Sequence, residues 1–459
     1  MRAVKSRVSK VAVTALAATA LGTSLAVTAG TTTSASAAPI HHAATVRPIP
    51  AVAGHVLAQN LAFPPDTAYC EANIGIACYS PLQYQQAYDL KPLYKAGITG
   101  KGRTIAIVDS YGSPTIAHDL AVYDQNYGIP APPSLQVIQP VGAVPPYDPN
   151  DSTMVSWATE TTLDVEIAHA MAPDANILLV ETPVAETEGV TGFPEIVAAE
   201  NYVIDHRLAD VITQSFGATE ETFPSKQSLL SLRSAFVNAA QHGVTVLASS
   251  GDTGATNYNL DGSALYPTQV NSWPSSDPLV TSIGGTQLHL DADGNRTAPD
   301  QVWNDGYGAG GGGVSEYFSR PDYQNSVRSV VGDRRGTPDI SASAAVDGAA
   351  ILYYSFDPSR IGWHLVGGTS EASPLFSGIV AMAAQLAHHS LGQINPSLYG
   401  LNAVHAPGIV DVTIGDNSFG GVTGYPATRG YDLASGVGTF DGAKFVPLLA
   451  LASFAPRHR

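Results

Sequence analysis

Three short segments of this 459-residue chain carry side chains that could do acid–base or nucleophilic chemistry. Ser370 follows Gly367-Gly368-Thr369 and precedes a small-residue, apolar stretch, Leu375 to Leu386. That layout puts a hydroxyl at a helix N-terminus, where free backbone N–H groups and the helix dipole favour negative charge. A serine attacking a carbonyl generates an oxyanion, so a nucleophile suits the place. Serine and threonine are also ordinary helix caps, and this segment alone is compatible with plain capping. Glu160 and Asp164 lie in WATETTLDVEIAHA, which is patterned as a helix. Four residues apart, they share one face. On an exposed helix they would be a solvated, mutually repelling acidic pair. In a buried setting one carboxyl keeps its proton and bonds to the other, which separates the two pKa values and makes a positioned general base. Asp252, in Ala248-Ser249-Ser250-Gly251-Asp252, directly follows an apolar run. Sites form at the C-terminal ends of parallel strands, although Ser-Gly-Asp is also good turn chemistry.

The elements that must hold these groups are legible as short apolar runs separated by helical stretches. Thr104–Val108, Asn176–Val180, Val211–Thr213 and Val244–Ala248 are expected to be buried strands, and residues 159–171, 192–207 and 226–242 helices. Alternation at this spacing predicts an α/β fold with a mostly parallel central sheet, helices on both faces and right-handed crossovers. About 380 residues suffice for one large domain. The run Gly308 to Gly313 (GAGGGG) could be a linker, but Val314-Ser315-Glu316-Tyr317-Phe318 follows at once, which points to a loop tucked into the domain. It lacks the Gly-Lys-Ser/Thr ending of a phosphate loop.

Taken in order, these segments resemble the sedolisin family of serine-carboxyl peptidases, which share the subtilisin-like fold. The resemblance rests on the Glu160/Asp164 helix with Ala168-His169-Ala170 after it, Ser215-Phe216-Gly217, and Ser249-Ser250-Gly251-Asp252. It continues through Trp273-Pro274-Ser275, Gly284-Gly285-Thr286, Gly311 to Ser315 with Tyr323-Gln324, Pro338-Asp339-Ile340-Ser341 and Gly368-Thr369-Ser370. It spans about residues 79 to 448. It implies that Ser370 is the nucleophile, that Glu160 takes its proton, and that Asp164 orients Glu160. It implies also that a protonated Asp252 donates to the oxyanion beside the Ser370 N–H, which ties activity to acid pH. A calcium loop in the C-terminal region is implied too, with carboxylates from Asp411 and Asp432 and carbonyls from Val412, Thr428 and Gly430. Such a hard-oxygen set suits Ca²⁺, one structural ion; Thr428 stands where the family has glycine.

Composition supplies the context. Arg2, Lys5, Arg7 and Lys10, an Ala/Val/Leu-rich core and Ala35-Ser36-Ala37 predict an export signal over residues 1–38. A short arm or pro-segment is expected over 39–78 and the peptidase-like domain over 79–459. Members of the family commonly carry a long pro-domain, and here only about 40 residues separate signal from domain, which leaves latency open. Loss of the four basic residues of the signal moves the formal charge from −17 to −21. So acidic a surface argues against nucleic acid and anionic membranes as partners. Cys70 and Cys78, close together in an exported chain, are expected to pair. The expectation is a secreted monomer acting on protein or peptide substrates. A subtilisin-type enzyme, suggested by Thr104 to Ser110, is the nearest rival, but its His-Gly-Thr-His helix is absent. A secreted binding protein on an inactive protease scaffold is the alternative of a different class.

Overall fold

The computed structural model describes residues 61–453. The expected export signal (1–38) and residues 39–60 of the expected arm lie outside them. The central sheet contains β1 (Thr104–Ser110), β2 (Leu135–Ile138), β3 (Asn176–Thr182), β4 (Val211–Gln214), β5 (Thr245–Ser249), β6 (Thr281–Gln287), β7 (Gln301–Val302) and β8 (Ile340–Ser343). Their order is β7-β6-β5-β4-β1-β3-β2, with β8 also paired to β6. Every pairing is parallel except that of β7 with β6. The four strands expected from sequence are all present, each within two residues of its predicted ends.

Both faces of the sheet are covered, because the buried strands are apolar on both sides. On β1, Ile105 and Ile107 pack with Leu163 and Ile167 of one helix and Leu375 and Ile379 of another. Ala106 and Val108 face the opposite way, toward Ile196, Val203 and Phe236. These residues belong to four helices, α3 (Ser152–Met171), α4 (Phe193–Asp205), α5 (Ser234–His242) and α6 (Thr369–Ala387); α1 (Thr67–Asn73) and α2 (Ile116–Tyr127) precede them in the chain. Helix α3 starts earlier than the expected residue 159, because the Asp151 carboxylate accepts from Thr153 N–H at 2.8 Å and caps it there. The helix expected over 226–242 is broken into Lys226–Leu230 and α5. Arg233, in the break, donates through Nη2 to the Asp277 carboxylate at 2.9 Å.

Residues 61–78, assigned to the arm on sequence, pack into this same body. Trp363 N–H donates to the Leu61 carbonyl at 3.1 Å, and Cys78–Tyr79 pairs in parallel with Ala349–Ala350. Cys70 and Cys78 are joined in a disulfide and both are buried. Closing this loop restricts the unfolded chain.

The core also contains carboxyl groups that the fold leaves without basic partners. Glu166, Glu186, Glu200 and Glu371 are fully buried, and neither oxygen of Glu186, Glu200 or Glu371 makes a hydrogen bond of good geometry. Burial pushes Glu200 and Glu371 up to about 8, and Glu166 and Glu186 well above the carboxylate range. A group whose folded pKa lies above its unfolded value stabilises the fold fully below the unfolded pKa, near ~4.3, and loses that contribution as pH rises through the folded value. The window here runs from there to about 8.

Two outcomes are expected. The melting temperature of the parent is higher at pH 4 than at pH 7.5, and Glu200→Gln raises it at pH 7.5 by at least ~2 °C while leaving pH 4 nearly unchanged. Differential scanning calorimetry across pH checks this, and a parent more stable at pH 7.5 would contradict it. Replacing Cys70 and Cys78 together by serine lowers unfolding free energy by about 2–3 kcal/mol, measured by denaturant titration.

Candidate active site

Helix α3 is buried almost all round: every residue from Trp157 to Met171 is inside. This decides the reading of its acidic pair. Glu160 and Asp164 are both 0% exposed, so they are not a solvated face. They sit where α3 packs against α6, the helix that carries Ser370 in its first turn. Burial, then the neighbouring Asp109 carboxyl, pushes both well above the ordinary carboxylate range. The hydroxyls of Ser370 and Ser215 act on Glu160 in the opposite sense. Neither Glu160 oxygen is held by a hydrogen bond of good geometry.

Ser215 follows β4 and ties the two helices together. Its hydroxyl lies 2.8 Å from Asp164 Oδ1 and 3.3 Å from the Ser370 carbonyl. That carbonyl is available because Pro374, four residues on, has no N–H to return to it. The Ser370 hydroxyl in turn donates to the Ser215 carbonyl over a long 3.5 Å. Catalytic hydrogen bonds are commonly long before substrate is bound.

Asp252 lies three residues beyond the end of β5. Its Oδ1 accepts from Thr369 N–H and from Thr369 Oγ1, both at 2.7 Å. The carboxyl is therefore fastened to the residue before Ser370. The first N–H groups of a helix have no acceptor within it. In α6 the Thr369 N–H goes to Asp252 and the Glu371 N–H to the Gly368 carbonyl, with Ser370 N–H between them. Behind Asp252 stands the glycine-rich run. Ser250 Oγ donates to the Gly311 carbonyl at 2.8 Å, and Gly311 N–H to the Gly251 carbonyl at 2.7 Å. A β-carbon on Gly311 would overlap the Ser250 carbonyl, so the run is a packed wall and not a linker.

The structure thus brings Ser370, Glu160, Asp164 and Asp252 to one region at the C-terminal end of the parallel strands. Asp109 joins them. It ends the apolar run of β1, is fully buried, and is pushed up to about 7 chiefly by burial, with the Thr161 hydroxyl and Glu181 carboxyl beside it. Sequence reasoning met this group only in the rival subtilisin-type reading of Thr104 to Ser110 and did not place it among the site residues; the signal was a carboxyl at the C-terminal end of a buried strand. His169 plays no part at the serine. It is buried against α2, with Nε2 3.1 Å from the Asp124 carboxylate and 3.1 Å from the Pro130 carbonyl.

The five residues expected around calcium lie apart from this site. Gly430 N–H donates to Asp411 Oδ2 at 2.9 Å and Thr428 N–H to Asp432 Oδ2 at 2.8 Å, so a single turn joins both carboxylates. Val412, beside Asp411, is buried, as is Asp432. Among the described residues no group of three or more His, Cys, Asp or Glu gathers around a point.

This chain is similar to several known proteins. The model of the subtilase family (Peptidase S8) matches residues 150–397. Kumamolisin of Bacillus sp. (strain MN-32) is 32% identical over 383 residues, covering 81% of this chain and 63% of that protein. Sedolisin of Pseudomonas sp. (strain 101) is 30% identical over 372 residues, covering 80% of this chain and 60% of that one. This chain thus spans about three-fifths of the length of the curated relatives it matches. The solved structure of Pseudomonas sedolisin, a serine-carboxyl proteinase complexed with two molecules of pseudo-iodotyrostatin, superposes with a TM-score of 0.70 at 29% identity, over 83% of this chain and all of that one. With the fold subtilisin-like, the chain belongs to the sedolisin family within the subtilases.

Proposed function

We propose that this chain is a secreted serine-carboxyl endopeptidase that hydrolyses peptide bonds at acid pH. The observation that carries this reading is the fastening of the Asp252 carboxyl to Thr369, beside the Ser370 hydroxyl and the buried Glu160 and Asp164 pair. The name of the matched sedolisin structure, a serine-carboxyl proteinase held with an inhibitor, supports the same chemistry.

In this reading Ser370 Oγ attacks the scissile carbonyl carbon and its proton passes to Glu160. Asp164 shares a proton with Glu160 and holds it in register, itself oriented by Ser215. The oxyanion accepts hydrogen bonds from Ser370 N–H and from protonated Asp252. Collapse expels the amine, which leaves with the proton that Glu160 returns. Water then enters, Glu160 takes its proton, and the acyl group leaves Ser370. An ionised Asp252 would repel the oxyanion, so the reaction needs acid. Substrates are protein or peptide chains, and the chain acts as a monomer. No helix among the described residues is long and apolar enough to cross a membrane. A protease-like binding protein is the competing reading, separated by activity alone.

The residues expected around calcium fit a hard cation in their chemistry. Two carboxylates share one turn, and every donor expected of them is oxygen. We place one structural Ca²⁺ there, held by Asp411, Asp432 and the carbonyls of Val412, Thr428 and Gly430, with stabilisation of the fold as its role.

Ser370→Ala is expected to abolish hydrolysis of a peptide pool at pH 4, by at least ~10⁴-fold in kcat, without loss of folding. The parent should show a bell-shaped profile with an acidic maximum, and Asp252→Asn should lose rate there but hold its remaining activity to higher pH. A parent most active near pH 8, or an Asp252→Asn profile with the parent's high-pH limb, would count against the assignment. Chelation and Asp432→Ala are each expected to lower the melting temperature of the protein, since a ligand bound only by the folded state stabilises it by mass action. An unchanged melting temperature with chelator at both neutral and acid pH would exclude the ion.

A further inference from the structure

Asp252 is fastened to the start of α6 through Oδ1. Oδ1 accepts two bonds from one residue, the Thr369 N–H and the Thr369 hydroxyl, each 2.7 Å long. The hydroxyl has a single proton, and its direction is set from the other side. Gly251 N–H donates to Thr369 Oγ1 at 3.1 Å, which occupies a lone pair and turns the hydroxyl proton toward Asp252. The competing acceptor, the Gly251 carbonyl, is farther off, at 3.1 Å. Thr369 is fully buried, so the side chain has little freedom to turn away.

Oδ2 lies against the turn that leads into the nucleophile. Gly368 has φ +145°, and a β-carbon there would stand 2.7 Å from Oδ2. Glycine is therefore required at 368 both for its backbone and to make room for that oxygen. An oxygen that already accepts two donors is the poorer place for a proton, so in the neutral acid the proton resides on the other oxygen.

We infer that Thr369 is a positioning residue for the reaction: by donating twice to Asp252 Oδ1 it assigns the acid proton to Oδ2 and aims it along the Gly368–Ser370 turn, where the oxyanion forms. This rests on the peptidase reading above and deepens it. Thr369 touches neither substrate nor the reacting atoms through its side chain; it acts through Asp252. The proton stays on Asp252 throughout, as a hydrogen-bond donor only. Donors to Oδ1 also favour the ionised form, so the same hydroxyl holds down the pH at which Asp252 loses its proton.

The test compares Thr369→Val, which keeps the shape and removes the hydroxyl, with Thr369→Ser, which keeps the hydroxyl and removes the methyl. Both are assayed on one peptide cleaved by the parent, from pH 2.5 to 7.5. Thr369→Val is expected to lower kcat at the acidic optimum by at least ~10-fold with KM changed by less than ~3-fold, since an ill-aimed oxyanion donor costs transition-state stabilisation and not ground-state binding. Its high-pH limb should move upward by ~0.5 pH unit or more, because a donor that favoured the carboxylate is gone. Thr369→Ser should recover kcat to within ~3-fold of the parent and restore the parent's limb. Should Thr369→Val fail to accumulate as folded protein, Thr369→Ala carries the same expectations, with room for water at the vacated place. A Thr369→Val or Thr369→Ala enzyme with the parent's kcat and limb overturns the inference, as does a serine variant no better than the valine one. An inactive parent, or an active Ser370→Ala, would instead overturn the peptidase reading itself.

Discussion

The candidate site depends on carboxyl groups being buried with no cation among the groups that act on them. Glu160 and Asp164 are fully inside, and the groups that act on them are other carboxyls and hydroxyls. An ionised carboxylate in such a place is costly, so burial favours a proton held within the pair. Burial favours the protonated carboxyl likewise at Glu200 in the core and at Glu371, the residue after Ser370.

That condition shapes the contact between α3 and α6. Two helices joined through acidic side chains need polar partners that can serve a carboxyl in either protonation state, and a hydroxyl does so because it both donates and accepts. Ser215 fills that role for Asp164 and, through the carbonyl freed by Pro374, for the first turn of α6. Thr369 fills it for Asp252. Small hydroxyl residues and glycines crowd this region because a carboxyl, a helix start and a strand end must all approach within hydrogen-bond distance. The glycine-rich run 308–313 supplies the wall that a side chain would push away.

The N-terminal part of the described chain shows how packing can override composition. Residues 61–78 look like a Pro- and Ala-rich arm, yet they add a helix, a disulfide and a short strand to the main body. Weak local patterning did not prevent burial, because the strand pairs with Ala349–Ala350, whose neighbours are already ordered. The break in the helix expected over 226–242 has the same character. Its sequence favours a helix throughout, and a distant partner, Asp277, holds the turn at Arg233.

What the sequence determined by itself were the local and repetitive features. Apolar runs such as TIAIV and NILLV specify strands, and the alternation of runs and helices specifies a parallel α/β sheet. The four chemical side chains were legible because each sits in a local setting with its own signature: a helix start, a helix face, a strand end. Tertiary structure alone decided whether the Glu160 and Asp164 face was wet or dry, because burial depends on what α6 and the sheet bring to it. It alone brought in Asp109, which lies 51 residues from Glu160 in the chain and 55 from Asp164. It alone showed that Thr369 holds Asp252 across a separation of 117 residues. Hydrogen bonds and electrostatic fields act over ångströms in space, and no periodicity along the chain records which distant residues will meet.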